Sequence, residues 1–404
     1  MITSPPRKTY SIRFLLTLGL LMLLPLVAAM RMYDFRQDAA LDMEQLKPGE
    51  AFVSMGATQR QRGQVKIGHL ERAQTLPLVG AFGPHQIFNM AAEDIGLDAE
   101  SFFNGTATTN PNLPEIRDYL YHLKTLGKLP SELVIVHLFT PANKWGRQYI
   151  EYNGANPLDV SWGAAGLNES WTDWLSFSAN MADTAMQKLK EIFNYQNVLI
   201  GLLADGGGFQ VMNIDACVAG FEQAASRPPA ALWVLTKIVP TSILVRLGVL
   251  NTKDYCSFRT LHGMLDYSIF RDGRQFYAPF YLEPPKPFQD ADTKNRLQFG
   301  DDKKMARYLD QIYRIVTDGS DRKIVFYIPP VYRAEEPYRR KIVDQIMDAA
   351  LERMPRLPVI DHRSLNLSAE MFVDRMHMTS AYFEILAKEL RQKGLLSSVR
   401  NEQG

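Results

Sequence analysis

Apolar residues follow two alternating patterns along the chain, short continuous runs and longer stretches with helical spacing. The runs predict buried strands, at 133–139, 323–328 and 357–360. The helical spacing predicts helices, at 113–126, 338–353 and, closing the chain, 379–393. Strands that alternate with helices are typical of βαβ units and a parallel sheet. The pattern therefore predicts an α/β fold with a mostly parallel sheet and with ligands bound beyond the carboxyl ends of its strands.

Two weaker strand candidates and an irregular middle complete the predicted organisation. The shorter apolar runs are 76–80 and 102–103, so the first part of the α/β domain is predicted over 76–154 and its second part over 321–404. Residues 155–320 are predicted to form a large, mainly helical insertion, because insertions of this size between sheet strands usually cover a site. The polar stretch 37–75 is predicted to be a juxtamembrane connector with short elements.

The N-terminus has the charge pattern of a membrane anchor. Arg7, Lys8 and Arg13 precede an uncharged apolar run over 14–30. As a helix this run would extend roughly 25 Å, near the lower limit for crossing a bilayer. Basic residues ahead of the run favour a cytoplasmic N-terminus, so 1–36 is predicted to hold a cytoplasmic tip and a single transmembrane helix. The main domain would then lie outside the cytoplasm, on the periplasmic or extracellular face of the inner membrane.

A cleaved signal peptide is the alternative interpretation of the same segment. The small residues at 27–29 would pass as a cleavage site, and the chain would then be secreted.

Composition and charge exclude some classes of function. The formal net charge of +1 gives no electrostatic basis for a nucleic-acid partner. Cys217 and Cys256 are the only cysteines, and they could pair in an oxidising compartment or stay as buried thiols. Neither the cysteines nor the seven histidines have metal-ligand spacing. The sequence therefore predicts no metal and no cofactor.

An Asp-x-x-His pair near the C-terminus is the strongest chemical signal. Asp374 and His377 lie between the last predicted strand and the closing helix. At such a junction both side chains can enter one cleft, where a carboxylate fixes the tautomer and orientation of an imidazole. The alternative is structural, because a short carboxylate ahead of a helix is a good N-cap.

The order of elements and this pair resemble the SGNH (GDSL-like) hydrolase superfamily, and in particular its membrane-anchored branch of cell-envelope polysaccharide O-acyltransferases and esterases. The resemblance covers about 76–145 and 320–395. It implies a doubly wound, mostly parallel α/β sheet. It also implies a catalytic serine after the first strand, then a glycine, then an asparagine, and finally the Asp-x-x-His. In this chain it implies that Asp374 orients His377 and that His377 is the general base.

Two further positions match the resemblance as donors to a developing oxyanion. Gly105 would supply its backbone N–H, and Asn143 would supply its side-chain amide from the segment after the strongest central strand. Both residues are also common in turns, which is the alternative interpretation of each.

The nucleophile is where the chain departs from the family. Phe82 occupies the position expected for the serine, and a phenyl ring cannot attack an acyl carbon. Ser54, in its own strand-like run, is the first alternative nucleophile. Thr106 or Thr108 is the second, and direct activation of water by His377 is the third.

The sequence thus predicts a membrane-anchored envelope protein with two possible functions. One is an esterase or O-acyltransferase that acts on acyl groups of a surface polysaccharide. The other is a catalytically degenerate relative that binds glycan or partner proteins within an exopolysaccharide assembly complex.

Overall fold

The fold is seen in a computed structural model of the chain. The structure describes residues 14–19, 23, 27, 41–54, 59–106, 113–138, 157–165, 209–214, 268–275, 302–330, 338–372 and 377–396. The predicted roles of Asp374, Asn143 and Thr108, and the pairing of the two cysteines, lie outside these residues.

The described elements alternate between strands and helices, as the sequence pattern predicts. The strands are β1 (Glu50–Ser54), β2 (Val79–Phe82), β3 (Phe102–Asn104), β4 (Leu133–His137), β5 (Phe209–Asn213), β6 (Ser268–Phe270), β7 (Lys323–Ile328) and β8 (Val359–Asp361). The helices are α1 (Gln59–Arg72), α2 (Leu113–Thr125), α3 (Pro157–Ala165), α4 (Asp302–Thr317), α5 (Tyr338–Glu352) and α6 (Ser380–Gln392). The strands predicted within 133–139, 323–328 and 357–360 are confirmed, as are the three helices predicted with them.

Five of the strands form one parallel sheet, which confirms the predicted α/β class. Their order across the sheet is β3-β2-β4-β7-β8, and every neighbouring pair is parallel. The chain moves from β2 outward to β3 and then returns to the other side of β2 to form β4. This reversal leaves a crevice beyond the carboxyl ends of β2 and β4, which is where open parallel sheets bind their ligands.

The two faces of the sheet are buried by different helices, because successive side chains of a strand point to opposite faces. Val134 and Val136 of β4 belong to a core that also contains buried residues of α1, α2, α4 and α5. Leu133 and Ile135 belong to a second core that is covered by α6. The sheet therefore separates the α2 face from the α6 face, and a residue's position along its strand decides which face it joins.

A second, smaller sheet lies where the sequence suggested a connector and a helical insertion. β1 pairs antiparallel with β5 on one side and with β6 on the other. Phe52 of β1 and Ile269 of β6 are buried in the core of the α2 face, together with Val65 of α1. Residues 50–54 and 59–72 are thus part of the folded body. The strands that pair with β1, at 209–213 and 268–270, are distant in sequence, so no local sequence pattern predicts this pairing.

The structure does not support the predicted anchor helix. Within the residues that it describes, none of the helices is both long and apolar enough to cross a bilayer. Of the apolar run 14–30, only 14–19, 23 and 27 belong to the described residues.

Candidate active site

Histidines converge at the carboxyl edge of the parallel sheet, beside the crevice between β2 and β4. His85 begins a single 3-10 turn (His85–Ile87) directly after β2, and His137 is the last residue of β4. His377 lies three residues before α6, and its neighbour Met378 is buried in the core that α6 covers. Three histidines from distant parts of the chain therefore meet at the edge where the fold predicts a ligand.

Two of these imidazoles are in direct contact. Nδ1 of His85 lies 2.7 Å from Nε2 of His377, and the ring centroids are 4.8 Å apart. Two nitrogens on one tetrahedral zinc ion would be roughly 3.3 Å apart, given bonds of about 2.0–2.1 Å. The shorter separation is that of a hydrogen bond. His377 is 3% exposed, whereas His85 is partly exposed. Of the pair, His85 is therefore the member that solvent reaches.

A neighbouring amide also approaches this pair. The side-chain Nε2 of Gln86 lies 3.4 Å from Nε2 of His85. An amide nitrogen only donates, so this contact fits the tautomer of His85 that carries its hydrogen on Nδ1 and donates it to His377 Nε2. In the opposite tautomer His377 donates to His85. A proton can therefore pass between the two rings.

His137 is a neutral, buried neighbour of the pair. Burial, and to a smaller extent positive charge on His85, lowers its pKa from 6.5 to about 3. Its ring packs on that of Tyr327, with centroids 5.1 Å apart. A Cβ at Gly83 would lie 2.6 Å from Cβ of His137, so a side chain at position 83 would collide with it. Glycine at 83 is thus what allows β2 and the end of β4 to come so close.

Phe82 lies on the other face of the sheet from His377. It is 1% exposed and belongs to the core of the α2 face, where its ring meets Tyr119 edge-on with centroids 5.5 Å apart. In β2, Ala81 points to the α6 face and Phe82 to the α2 face. The position aligned with the missing serine is therefore a core position. The first polar side chain after β2 that meets His377 is His85.

Gly105 follows β3 at the same edge of the sheet. Its backbone N–H, the predicted oxyanion donor, donates to the carbonyl of Ala81 at 2.8 Å. A Cβ there would lie 2.4 Å from the Phe82 ring, so the glycine is required by packing. Any role for this N–H in binding an oxyanion would require the bond to Ala81 to be shared or broken.

The alternative nucleophiles occupy different places. Ser54 is the last residue of β1 in the small antiparallel sheet, where its register partner is Phe209. Thr106 is buried, and its hydroxyl donates to Oδ1 of Asn104 at 2.7 Å. The hydroxyl of Thr106 is thus committed to a neighbour in its own loop.

Asn104, which the sequence did not single out, holds the loop that carries His85. Its fully buried amide donates to the carbonyls of Ile87 at 2.6 Å and Met90 at 3.1 Å. The buried Lys66 of α1 donates in turn to the carbonyl of Asn104 at 3.2 Å. Asn104 is a polar residue at the end of a strand, on the edge of the sheet where ligands bind, and this placement could have identified it. The sequence did not single it out because Asn-Gly is also a common turn pair. These bonds fix the segment after β2 against β3.

A second polar chain attaches α6 to the sheet. The hydroxyl of Tyr327 lies 2.5 Å from that of Tyr382, whose oxygen lies 2.6 Å from Nδ1 of His362. Nε2 of His362 lies 2.7 Å from a carboxylate oxygen of Glu389. Because a carboxylate accepts, His362 donates from Nε2 and receives the Tyr382 hydroxyl at Nδ1. Burial raises the pKa of both tyrosines, which keeps both as hydroxyl donors.

We expect Tyr382→Phe to destabilise the protein by about 1–3 kcal/mol, because it leaves two buried groups, Tyr327 and His362, short of a hydrogen-bond partner. Urea unfolding at neutral pH measures the change. Tyr313→Phe is the matched control, because the half-buried Tyr313 hydroxyl makes no hydrogen bond among the described residues. Equal stability of the two variants would contradict the assigned role of this chain.

Comparison with known proteins adds no family to this geometry. A scan against models of known protein families finds no match, and a search of curated proteins finds no similar sequence. Within the described part of the chain, no group of three or more His, Cys, Asp or Glu side chains could hold a metal ion. The arrangement at the carboxyl edge is therefore the basis for assigning a function.

Proposed function

We propose that this site cleaves or transfers acyl esters, using a histidine pair where SGNH-like hydrolases use a serine and a histidine. The observation that carries the proposal is the 2.7 Å contact between Nδ1 of His85 and Nε2 of His377. In a hydrolytic triad, that position on the base histidine belongs to the nucleophile's hydroxyl. An imidazole nitrogen occupies it here, at the ligand edge of a parallel sheet.

The proposed roles follow from exposure and bonding. His377 is buried, and its Nε2 faces His85, so it would act through His85. His85, which is partly exposed, would meet the substrate. Asp374 keeps its proposed role of orienting His377 from the other side. The proposed chain is Asp374–His377–His85, in which His85 takes the place that the serine has in a Ser-His-Asp triad.

The oxyanion would be stabilised by amide groups around His85. Asn143 remains a proposed donor. Gln86 is a second candidate, because its amide nitrogen lies 3.4 Å from Nε2 of His85. It would stabilise an oxyanion whose oxygen comes within the about 2.7–3.1 Å that such donors require. Gly105 is the weaker candidate, since its N–H already donates to Ala81.

The proposed substrate class is an O-acylated polysaccharide of the cell envelope. This extends the resemblance to membrane-anchored O-acyltransferases and esterases, with the domain held outside the cytoplasm by the N-terminal segment. The rival is a glycan-binding component of an exopolysaccharide assembly complex. It is favoured by one observation, namely that an imidazole and not a hydroxyl contacts His377 Nε2.

Release of acetate from an O-acetylated polysaccharide by the full-length chain tests the proposal. We expect turnover to fall roughly 100- to 10,000-fold in His377→Gln, which accepts the bond from His85 but cannot take its proton. His69→Gln is the control, because His69 is a half-buried histidine of α1 that stacks on Phe103. It should retain full activity.

The outcomes separate the two functions. No acetate release by the unchanged protein, together with saturable binding of the same polysaccharide, would reject the enzyme and favour the binding component. Equal turnover in His377→Gln and His69→Gln would reject the histidine pair as the active group.

A further inference from the structure

We propose that Gln86 selects the substrate, because its side-chain carbonyl accepts a hydrogen bond from a free sugar hydroxyl beside the ester. This inference rests on the proposed function and deepens it, since it narrows the substrate class to partially acylated sugars. The observation that carries it is the Oε1 atom of Gln86, which is buried and has no hydrogen-bond partner among the residues that the structure describes. The residue as a whole is 1% exposed.

An acceptor buried in this way destabilises the resting protein. The oxygen bonds to water in the unfolded chain and loses that bond on folding, so nearly all buried carbonyl oxygens have a partner. A methionine would fill the same space without this loss. Native proteins depart from such rules chiefly at functional sites. A ligand that brings a hydrogen-bond donor would satisfy the oxygen at the moment of binding.

Gln86 stands beside the histidine pair. Its amide nitrogen lies 3.4 Å from Nε2 of His85, and the oxygen of the same amide is at most about 6 Å from that atom, given the bond lengths of an amide. One sugar unit is large enough to reach both groups. His85 is partly exposed, so a substrate that reaches His85 also comes close to this amide.

The backbone around Gln86 is fixed, whereas its amide is held weakly. The carbonyl of Ile87 accepts from the Asn104 amide at 2.6 Å, and the N–H of Phe88 donates to the carbonyl of His85 at 3.0 Å. The contact of the Gln86 amide with His85, at 3.4 Å, is longer than a good hydrogen bond. A fixed backbone with a weakly held amide suits a residue that takes a new partner when the substrate binds.

Two forms of one polymer test the inference with the full-length chain. Acetate release from partially O-acetylated xylan is compared with release from the same xylan after O-methylation of its free hydroxyls, which keeps the esters and removes the donors. We expect kcat/KM to be roughly 10- to 100-fold lower on the methylated xylan. In Gln86→Met, which keeps the side-chain volume but lacks the amide, the two values should agree within about threefold.

Tyr119→Phe is the matched control. The hydroxyl of Tyr119 is also buried without a hydrogen-bond partner among the described residues, but Tyr119 packs in the core of the α2 face. Each variant loses an unpaired buried polar atom, so thermal unfolding should find neither of them less stable than the unchanged protein. Tyr119→Phe should keep the full preference for the unmethylated xylan.

The results separate this inference from the function on which it rests. Equal turnover of the two xylans by the unchanged protein would overturn it. So would a preference that survives in Gln86→Met, either with an equal loss on both xylans, as for a donor to the oxyanion alone, or with no loss, as for an oxygen that a buried water occupies. Absence of acetate release would reject the proposed function, and calorimetric binding of the two xylans then decides the inference. Preferred binding of the unmethylated xylan that Gln86→Met loses would support it, and equal or absent binding would overturn it.

Discussion

Phe82→Ser is expected to destabilise the protein by about 4 kcal/mol and to create no ester activity. The substitution inserts the hydroxyl that the family pattern demands at this position, so simple sequence reasoning predicts a gain of function. The structure predicts a loss. The ring is 1% exposed and packs edge-on against Tyr119. Removing it leaves a cavity and buries an unpaired hydroxyl, and each of these costs stability.

The absence of new activity follows from the alternation of β2. Position 82 points to the α2 face, whereas Met378, the neighbour of His377, is buried with α6 on the other face. A hydroxyl there would therefore be out of reach of the imidazole. Urea unfolding and acetate release measure the two effects. Leu126→Ser, at a residue that is 45% exposed after α2, is the control and should change stability by less than about 0.5 kcal/mol. A stable Phe82→Ser variant with raised turnover would show that the face assignment is wrong.

Acidification is expected to destabilise the protein steeply through His137. Its pKa is about 3 in the folded protein and 6.5 in the unfolded chain, because burial penalises the imidazolium. Above pH 6.5 the ring is neutral in both states and His137 has no effect on the pH dependence. As the pH falls below 6.5, only the unfolded chain takes up the proton, so stability declines until the pH reaches the folded value. The slope from this one group approaches about 1.4 kcal/mol per pH unit.

His137→Leu removes this dependence while keeping the Cβ that Gly83 contacts. We expect its unfolding free energy to vary less between pH 6.5 and pH 4 than that of the unchanged protein, by roughly 3 kcal/mol across the interval. His69, whose pKa burial lowers to about 4, contributes in the same direction in both proteins, so the difference isolates His137. Urea unfolding at several pH values measures the slopes. Parallel slopes would show that His137 becomes protonated in the folded state.

Much of the parallel sheet could be predicted from local pattern. The run 133–139 contains β4 because a strand buried on both faces is almost continuously apolar. The helices α2, α5 and α6 follow from apolar spacing, and each ends within one residue of its predicted boundary. In contrast, β5 and β6 were not predicted. They are short, and β1 pairs with both from far away in the sequence.

The site was predicted only in part. His377 was identified because its motif is local, and Phe82 was set aside as a nucleophile because a phenyl ring cannot attack an acyl carbon. His85 stands in no motif that marks it as a site residue. Its role depends on a contact across 292 residues of sequence, between a turn after β2 and the segment before α6. No local signal encodes such a contact.

The sequence by itself determined the α/β class, the buried central strands and the histidine ahead of the last helix, because each follows from the spacing of apolar residues or from a short motif. Only the tertiary structure decided which side chain meets that histidine. The pleat of β2 turns Phe82 into the core of the α2 face, and the loop held by Asn104 brings His85 to the α6 face. Strand alternation and long-range hydrogen bonds set this choice, and both act only after the sheet has formed.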